Sequence, residues 1–417
     1  MKLDERYRWL IWLSLSEIGT MLVLMNYSAL LPILQKEWSL TNAQAGWIYS
    51  SYHIGYILSV VALTSLTDYV NPKYIYITTA FWGGISGTLF CVLAKGFVSA
   101  LVFRLLMGIS FAGTYMPGLR MVSERFPSRE RGRAVGVYVA AFTLGASLSL
   151  LLTGFLVSYL PWRWSFFITS LGPVGGGVIA IFQLRGISGG RTPEVEKVPL
   201  KEVFQNRPVL MIIGGYIAHM WEMFGMRGWL VTFLTACFLT HQFELSKALR
   251  LSTVIGGAAT LMGALSSALG GVLSDRFGRA NTIIAIMVGS CLISLLIGWT
   301  REFHLWVIFV ISLLYGSIVP AESSILSTGI TELAHPGVLG RTMALQSLLG
   351  FGAASLSPIV FGYILDLTNP SDALARFGFF PNWGWAFMML GIGGLAGPLV
   401  IWKVKKRMSD SPLSPSP

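Results

Sequence analysis

Charge is what this sequence has least of. Only 12% of its 417 residues are Asp, Glu, Lys or Arg, about half the share of a soluble domain, while 54% are hydrophobic. The shortage is concentrated: Val209–Phe238, Asn281–Trp299 and Leu305–Ile318 run with few or no charges. These stretches approach the ~20 residues needed to cross ~30 Å of hydrocarbon. A soluble core would break such runs every few turns with a polar face, so a soluble enzyme or binding domain is excluded. Cysteine is scarce too. Cys91, Cys237 and Cys291 lie singly in or at the ends of apolar stretches, which suits neither a disulfide framework nor a zinc site and leaves them as small packing residues. The sequence also lacks a Walker loop, a nucleophile elbow and a paired-carboxylate hydrolase pattern. The reading is a non-enzyme without ATP, cofactor or resident metal.

What is present is a series of apolar segments near residues 9–34, 44–66, 74–94, 97–119, 134–157 and 164–185, then 208–234, 248–272, 281–300, 305–328, 340–365 and 383–402. The expected fold class is an all-α integral membrane protein with twelve transmembrane helices. The net charge of +11 invites a nucleic-acid reading, which the positions of the basic residues oppose. Twenty-one of the thirty Lys and Arg fall on the side carrying both termini and the 186–207 stretch, seven on the other, and Arg104 and Arg227 inside spans. That asymmetry is the positive-inside rule. It puts both termini in the cytoplasm and excludes nucleic acid, with the lipid bilayer as partner and a prokaryotic plasma membrane as the expected location. The apolar stretch after Met1–Arg6 is too long for a signal-peptide core and reads as a retained first helix.

The chain repeats itself. Leu66-Thr67-Asp68 follows the second span and Leu273-Ser274-Asp275 the eighth, 207 residues later. At an offset of 208, Gly108 matches Gly316, Glu124 matches Glu332, Gly132-Arg133 matches Gly340-Arg341, and Gly154 matches Gly362. Trp162-Arg163-Trp164-Ser165-Phe166 echoes Trp383-Gly384-Trp385-Ala386-Phe387 after an insertion near 366–380. Six matches in order make this a six-helix unit used twice. The expected organisation is an N-terminal bundle (1–185), a Gly/Pro-rich cytoplasmic linker (186–207), a C-terminal bundle (208–403) and a cytoplasmic tail (404–417). Parallel repeats of this kind place a substrate near the bilayer midplane between halves that rock.

Gly271-Val272-Leu273-Ser274-Asp275-Arg276-Phe277-Gly278-Arg279 resembles the loop signature of the major facilitator superfamily. Its first-half copy keeps only Leu66, Asp68 and Lys73. Phe103-Arg104 to Gly108 is similar to that family's fourth-helix motif, and Arg131-Gly132-Arg133-Ala134 to its turn before the fifth helix. The resemblance covers essentially the whole chain. It implies alternating access by a secondary transporter that acts as a monomer on a small-molecule substrate. It also implies that Asp68 and Asp275, with Arg276, Gly278, Arg279, Arg133 and Arg341, form cytoplasmic gating latches. A carboxylate suits that role because a helix N-terminus presents unpaired N–H groups and a positive dipole end. The alternative is that these are ordinary solvated turn residues. The fifth span reads Thr143-Leu144-Gly145-Ala146-Ser147-Leu148, without the Gly-Pro pair common in drug antiporters and without the nitrate signature.

Ionisable residues at membrane depth cost several kcal/mol, so each is a functional candidate. Glu17, Arg104 and Glu322 lie in spans 1, 4 and 10, and His219, Glu222 and Arg227 in span 7. The resemblance makes spans 1, 4, 7 and 10 the cavity-lining set. Counting ~1.5 Å per residue from Pro208 brings His219 near the bilayer centre. His219 and Glu222, three apart, share a helix face. Glu17 and Glu222 are the candidate proton carriers. Arg227 or Arg104 would orient an anionic group, and Tyr49, Tyr52, His53, Tyr56, Trp221 and Trp229 would supply aromatic walls. The competing reading is structural: permanent pairing of the acids, a brace at Arg104, packing at His53. His219-x-x-Glu222 has metal half-site spacing, but His53 is its only further candidate ligand. The function expected is proton-coupled movement of a small polar or anionic organic solute. The alternatives are efflux of amphipathic drugs by proton antiport, or a receptor or channel that does not cycle.

Overall fold

A computed structural model describes residues 4–184 and 201–409. Among these residues the fold is helical throughout, with no strand. Twelve helical segments have spanning length. In the first half they are α1 (Glu5–Thr20 and Asn26–Glu37), α2 (Asn42–Leu66), α3 (Pro72–Leu93), α4 (Phe97–Arg125), α5 (Ser128–Val157) and α6 (Trp162–Gln183). In the second half they are α7 (Arg207–Thr240), α8 (Leu245–Phe277), α9 (Arg279–Ile297), α10 (Leu305–Ile318 and Ser323–Leu333), α11 (Leu339–Thr368) and α12 (Gly384–Gly394 and Ala396–Ser409). Eleven of them are long and apolar enough to cross a membrane. The twelfth, α2, is 25 residues long. Its hydropathy is diluted by Tyr49, Ser50, Ser51, Tyr52, His53 and Tyr56, all buried. A helix can carry such groups through a membrane where protein rather than lipid surrounds them.

Local signals start and stop these helices. Thr41 and Gln44 close a reciprocal capping box at the head of α2, satisfying two otherwise unpaired N–H groups. Pro72 occupies the first turn of α3, where its missing N–H costs nothing. Gly278 caps α9 at a φ of 84°, a left-handed conformation that glycine adopts without a Cβ penalty. That requirement explains one glycine of the loop signature.

Three spans expected to be continuous are interrupted, α12 at Leu395 and two others by 3-10 turns. α1 passes through a 3-10 turn at Met21–Val23, and α10 through another at Val319–Glu322. Pro320 explains the second, because it has no N–H to give the preceding turn. The first has no local breaker and is held from outside. Ser149 Oγ donates to Leu22 O at 2.6 Å and accepts from Met25 N at 3.1 Å. The Arg104 guanidinium donates to Val23 O and Leu24 O.

By its contacts the chain divides into two compact units, Met1–Pro193 with Gln242–Leu261, and Glu194–His241 with Met262–Pro417. The 186–207 linker lies largely outside the described residues, as does the tail beyond residue 409. Each unit has its own apolar cluster. One joins Leu10, Leu13, Tyr76, Val122, Ala134 and Ala180. The other joins Ile212, Ile213, Met287, Leu326, Ile330 and Ile401. Lipid is as apolar as these side chains, so close packing rather than water exclusion holds such clusters together.

Candidate functional site

In the first unit, Glu17 is fully buried on α1. One carboxyl oxygen, Oε2, accepts hydroxyl bonds from Tyr138 at 2.7 Å, Thr20 at 3.2 Å and Tyr76 at 3.3 Å. The other, Oε1, has no hydrogen-bond partner among the described residues. Ser16 fixes the neighbourhood, reaching Tyr76 Oη at 3.0 Å and donating to Gly176 O at 2.7 Å. No Lys or Arg pairs with Glu17 among the described residues. Its partners come from α1, α3 and α5 of its own unit.

Arg104 is also fully buried, and it serves the backbone. Its Nη1 donates to Val23 O at 2.9 Å and its Nη2 to Leu24 O at 3.3 Å, while the guanidinium lies 4.6 Å over Tyr52 and 5.5 Å from Tyr27. The carbonyls freed by the break in α1 need donors at membrane depth, and Arg104 supplies two of them. His53 packs between Tyr49 and Tyr52, with ring centroids at 5.3 and 5.6 Å. Tyr52 and Tyr56 both stack toward Phe111 on α4, at 5.8 and 4.7 Å.

The second unit joins its polar residues differently from the sequence expectation. His219 and Glu222 share α7 but bind different partners. His219 Nδ1 meets Glu322 Oε1 at 3.0 Å, with the two side chains 0% and 1% exposed. Glu222 Oε2 instead accepts from Ser290 Oγ at 3.0 Å and lies 3.9 Å from Cys291 Sγ, both on α9. Its Oε1 has no hydrogen-bond partner among the described residues. Sequence reasoning missed Ser290 and Cys291, because a serine and a cysteine in an apolar run carry no signal of their own. No group of three metal-ligating side chains occurs among the described residues.

The remaining α7 candidates divide between core and margin. Trp229 is core: its Nε1 donates to Pro358 O at 3.0 Å, and its ring stacks on Phe361 at 5.4 Å. Trp221 is half-buried, and its carbonyl accepts from Ser357 Oγ at 2.6 Å. Arg227 is half-buried, with its guanidinium 5.7 Å over Phe224.

Among the gating candidates, Asp68 accepts from Arg120 Nη1 at 2.6 Å, and the same Arg120 donates to Glu124 at 2.8 Å. In the second unit Arg279 pairs with Glu332. Glu124 and Glu332 are repeat equivalents, so in both units the same acid at the end of the fourth helix anchors an arginine. Asp275 is exposed at the end of α8 and has no hydrogen-bond partner among the described residues. Arg276 lies over Phe277 and Arg133 over Tyr7, and Arg341 is exposed at the head of α11.

Twelve helical segments of spanning length, with acids buried inside them, describe a multi-pass membrane protein. The chain belongs to the Major Facilitator Superfamily, whose sequence model it matches over residues 13–358. It is 25% identical to the probable sulfoacetate transporter SauU of Cupriavidus necator, over 84% of each chain. It is 24% identical to the niacin transporter NiaP of Acinetobacter baylyi, over 63% of this chain and 70% of that one. With the hexuronate transporter of Bacillus subtilis it shares 22% identity, over 81% and 83%. Among solved structures, a bacterial homologue of the human lysosomal transporter Spinster superposes with a TM-score of 0.80 at 15% identity, covering 100% of both chains. The nucleoside transporter NupG superposes at 0.75 and 13% identity, over 95% and 99%. At these identities the structural likeness speaks for the fold alone.

Proposed function

We propose that this transporter moves small organic anions by alternating access, coupled to protons carried on its buried carboxyl groups. The observation that carries the reading is the pair of acids Glu17 and Glu222. Each is buried within one unit, bonded on one oxygen to hydroxyl groups, and without an ion pair among the described residues. A permanently ionised carboxylate without a counter-charge is costly in such surroundings. A carboxyl that gains a proton in one state and loses it in another is the chemical use such a position has. The named solutes of three relatives, sulfoacetate, niacin and hexuronate, are all organic acids and support the anionic class. Arg227, half-buried on the same helix as Glu222, is suited to orient such a group. The Asp275 loop supplies the cytoplasmic latch in this scheme.

The test is uptake by the purified protein in liposomes, with labelled sulfoacetate, nicotinate and glucuronate, with and without an inward acid gradient. Wild-type uptake of at least one of these anions should follow the gradient. Glu222→Gln should lose that dependence while still exchanging labelled for unlabelled solute. If the variant's uptake still tracks the gradient, Glu222 is not the carrier.

A further inference from the structure

The last stretch of α12 divides its residues between two faces. Ile401 and Val404 are buried in the apolar cluster of the second unit, with Val209 and Ile283. The opposite face carries Leu399, Trp402, Lys403 and Lys406, all exposed, at the i, i+3, i+4 and i+7 spacing of one helical stripe. The stripe continues back along the helix through Leu395 and Ile392, which are also exposed. Leucine and isoleucine, then a tryptophan, then two lysines follow the order of a lipid leaflet: acyl chains, the interface where indole rings sit, and the headgroups. The basic end is also held in place. Lys405 Nζ donates to Asn281 Oδ1 at 2.7 Å, at the head of α9, and the Lys406 ammonium lies 5.8 Å over the Trp402 ring.

We propose that this stripe docks one anionic phospholipid, with an acyl chain along Leu395 and Leu399 and the phosphate on the ammonium groups of Lys403 and Lys406. Charge complementarity selects the occupant. From Gly384 to Ser409 the chain holds no Asp or Glu, so the helix end presents charge of one sign. Clusters of lysine at the end of a span attract anionic lipid in this way. A zwitterionic lipid brings its own cation and gains no net attraction. A soluble acidic partner would meet the lysines but not Leu399, which lies nearly one turn deeper than Trp402. The stripe belongs to one half of the repeat only. At the offset that aligns Trp162 with Trp383, Lys403, Lys405 and Lys406 fall opposite Phe182, Leu184 and Arg185. The six-helix unit therefore does not itself require the lysines. Lys405 serves the fold by tying α12 to α9, which fixes where its two exposed neighbours stand. The site lies on the outside of the second unit and is independent of the solute carried.

The test titrates the purified full chain, in neutral detergent, with dioleoyl-phosphatidylglycerol or dioleoyl-phosphatidylcholine and counts bound lipid by native mass spectrometry. Wild type should bind the anionic lipid more tightly than the zwitterionic one, and added salt should narrow the difference. Replacing both lysines, Lys403→Gln with Lys406→Gln, should weaken the first phosphatidylglycerol roughly 25-fold, about fivefold per charge. Phosphatidylcholine binding should not change. The pair Lys403→Arg with Lys406→Arg should keep the anionic lipid. Arg8→Gln with Arg131→Gln removes the same charge from exposed positions in the other unit and should leave the lipid bound. An equal loss in both neutralised pairs would mean that net charge, not this stripe, attracts lipid, and would overturn the site. Unchanged affinity in the lysine pair overturns it too. Excess inorganic phosphate should not displace the lipid; if it does, the ligand is a free anion and the lipid assignment fails. Should the lysine pair not fold, Lys406→Gln alone, with a loss of about fivefold, decides.

Discussion

Arg104 was open to two readings in the sequence, anion receptor or brace, and its contacts favour the brace. Its two nitrogens serve the carbonyls of Val23 and Leu24, so Arg104→Met would leave two buried acceptors unmet. Each unmet acceptor costs about 1–3 kcal/mol. The expected outcome is a melting temperature in detergent lowered by several degrees. Arg104→Lys should fall between, because an ammonium lacks the planar fork that spans two carbonyls and stacks on Tyr52. Unchanged stability with lost anion binding in Arg104→Met would return the residue to the substrate. Glu17 and Glu222 were legible as buried acids. Their partners were not, since Tyr76, Tyr138, Ser290 and Cys291 are distant in sequence and ordinary in type.

At the scale of helices, the repeat has a packing cause at some positions and none at others. Gly108 on α4 crosses Gly55 on α2 so closely that a methyl group at Gly108 would lie 1.9 Å from Tyr52 O, and one at Gly55 2.0 Å from Leu105 O. The equivalent crossing in the second unit brings the site of a methyl on Gly263 to 2.8 Å from Pro320 Cγ and 3.0 Å from Gly316 O. Small residues let helices approach where no solvent drives them together. Gly108→Val, whose obstacle is backbone, should lower thermal stability more than Gly263→Val, whose nearest obstacle is a side chain. By contrast, Gly132 and Gly340 also match across the repeat, yet no atom lies within 4 Å of the position a Cβ would take at either. Gly132→Ala should therefore leave stability unchanged or raise it by up to about 1 kcal/mol, since alanine is the better helix former. Thermal unfolding of the three variants side by side checks the order.

At the scale of the molecule, each unit ties the loop after its second helix through a fourth-helix arginine or acid: Asp68–Arg120–Glu124 in one, Arg279–Glu332 in the other. Exposed ion pairs contribute about 0–1 kcal/mol apiece, so these ties set loop conformation more than stability. Asp275 is exposed and without such a partner, and the proposed scheme assigns its carboxylate to the latch. Asp275→Asn should insert and melt like wild type but transport anions more slowly. An unchanged rate in liposomes would remove the latch from the mechanism.

The sequence by itself determined the membrane, the number of helices, the repeat and the family, because these follow from sums over many residues. Hydrophobic length, basic asymmetry and a glycine-rich loop signature do not depend on any one contact. The break in α10, a span that reads as continuous, has a local cause in Pro320. The tertiary structure alone decided the break in α1, where Leu22, Val23 and Leu24 look like any helix interior until Ser149 and Arg104 take their carbonyls. It alone decided that His219 turns to Glu322 and not to Glu222, three residues along its own helix. Helical spacing fixes which residues share a face. Which neighbour each one bonds depends on the helices packed against that face, and a single sequence does not list them.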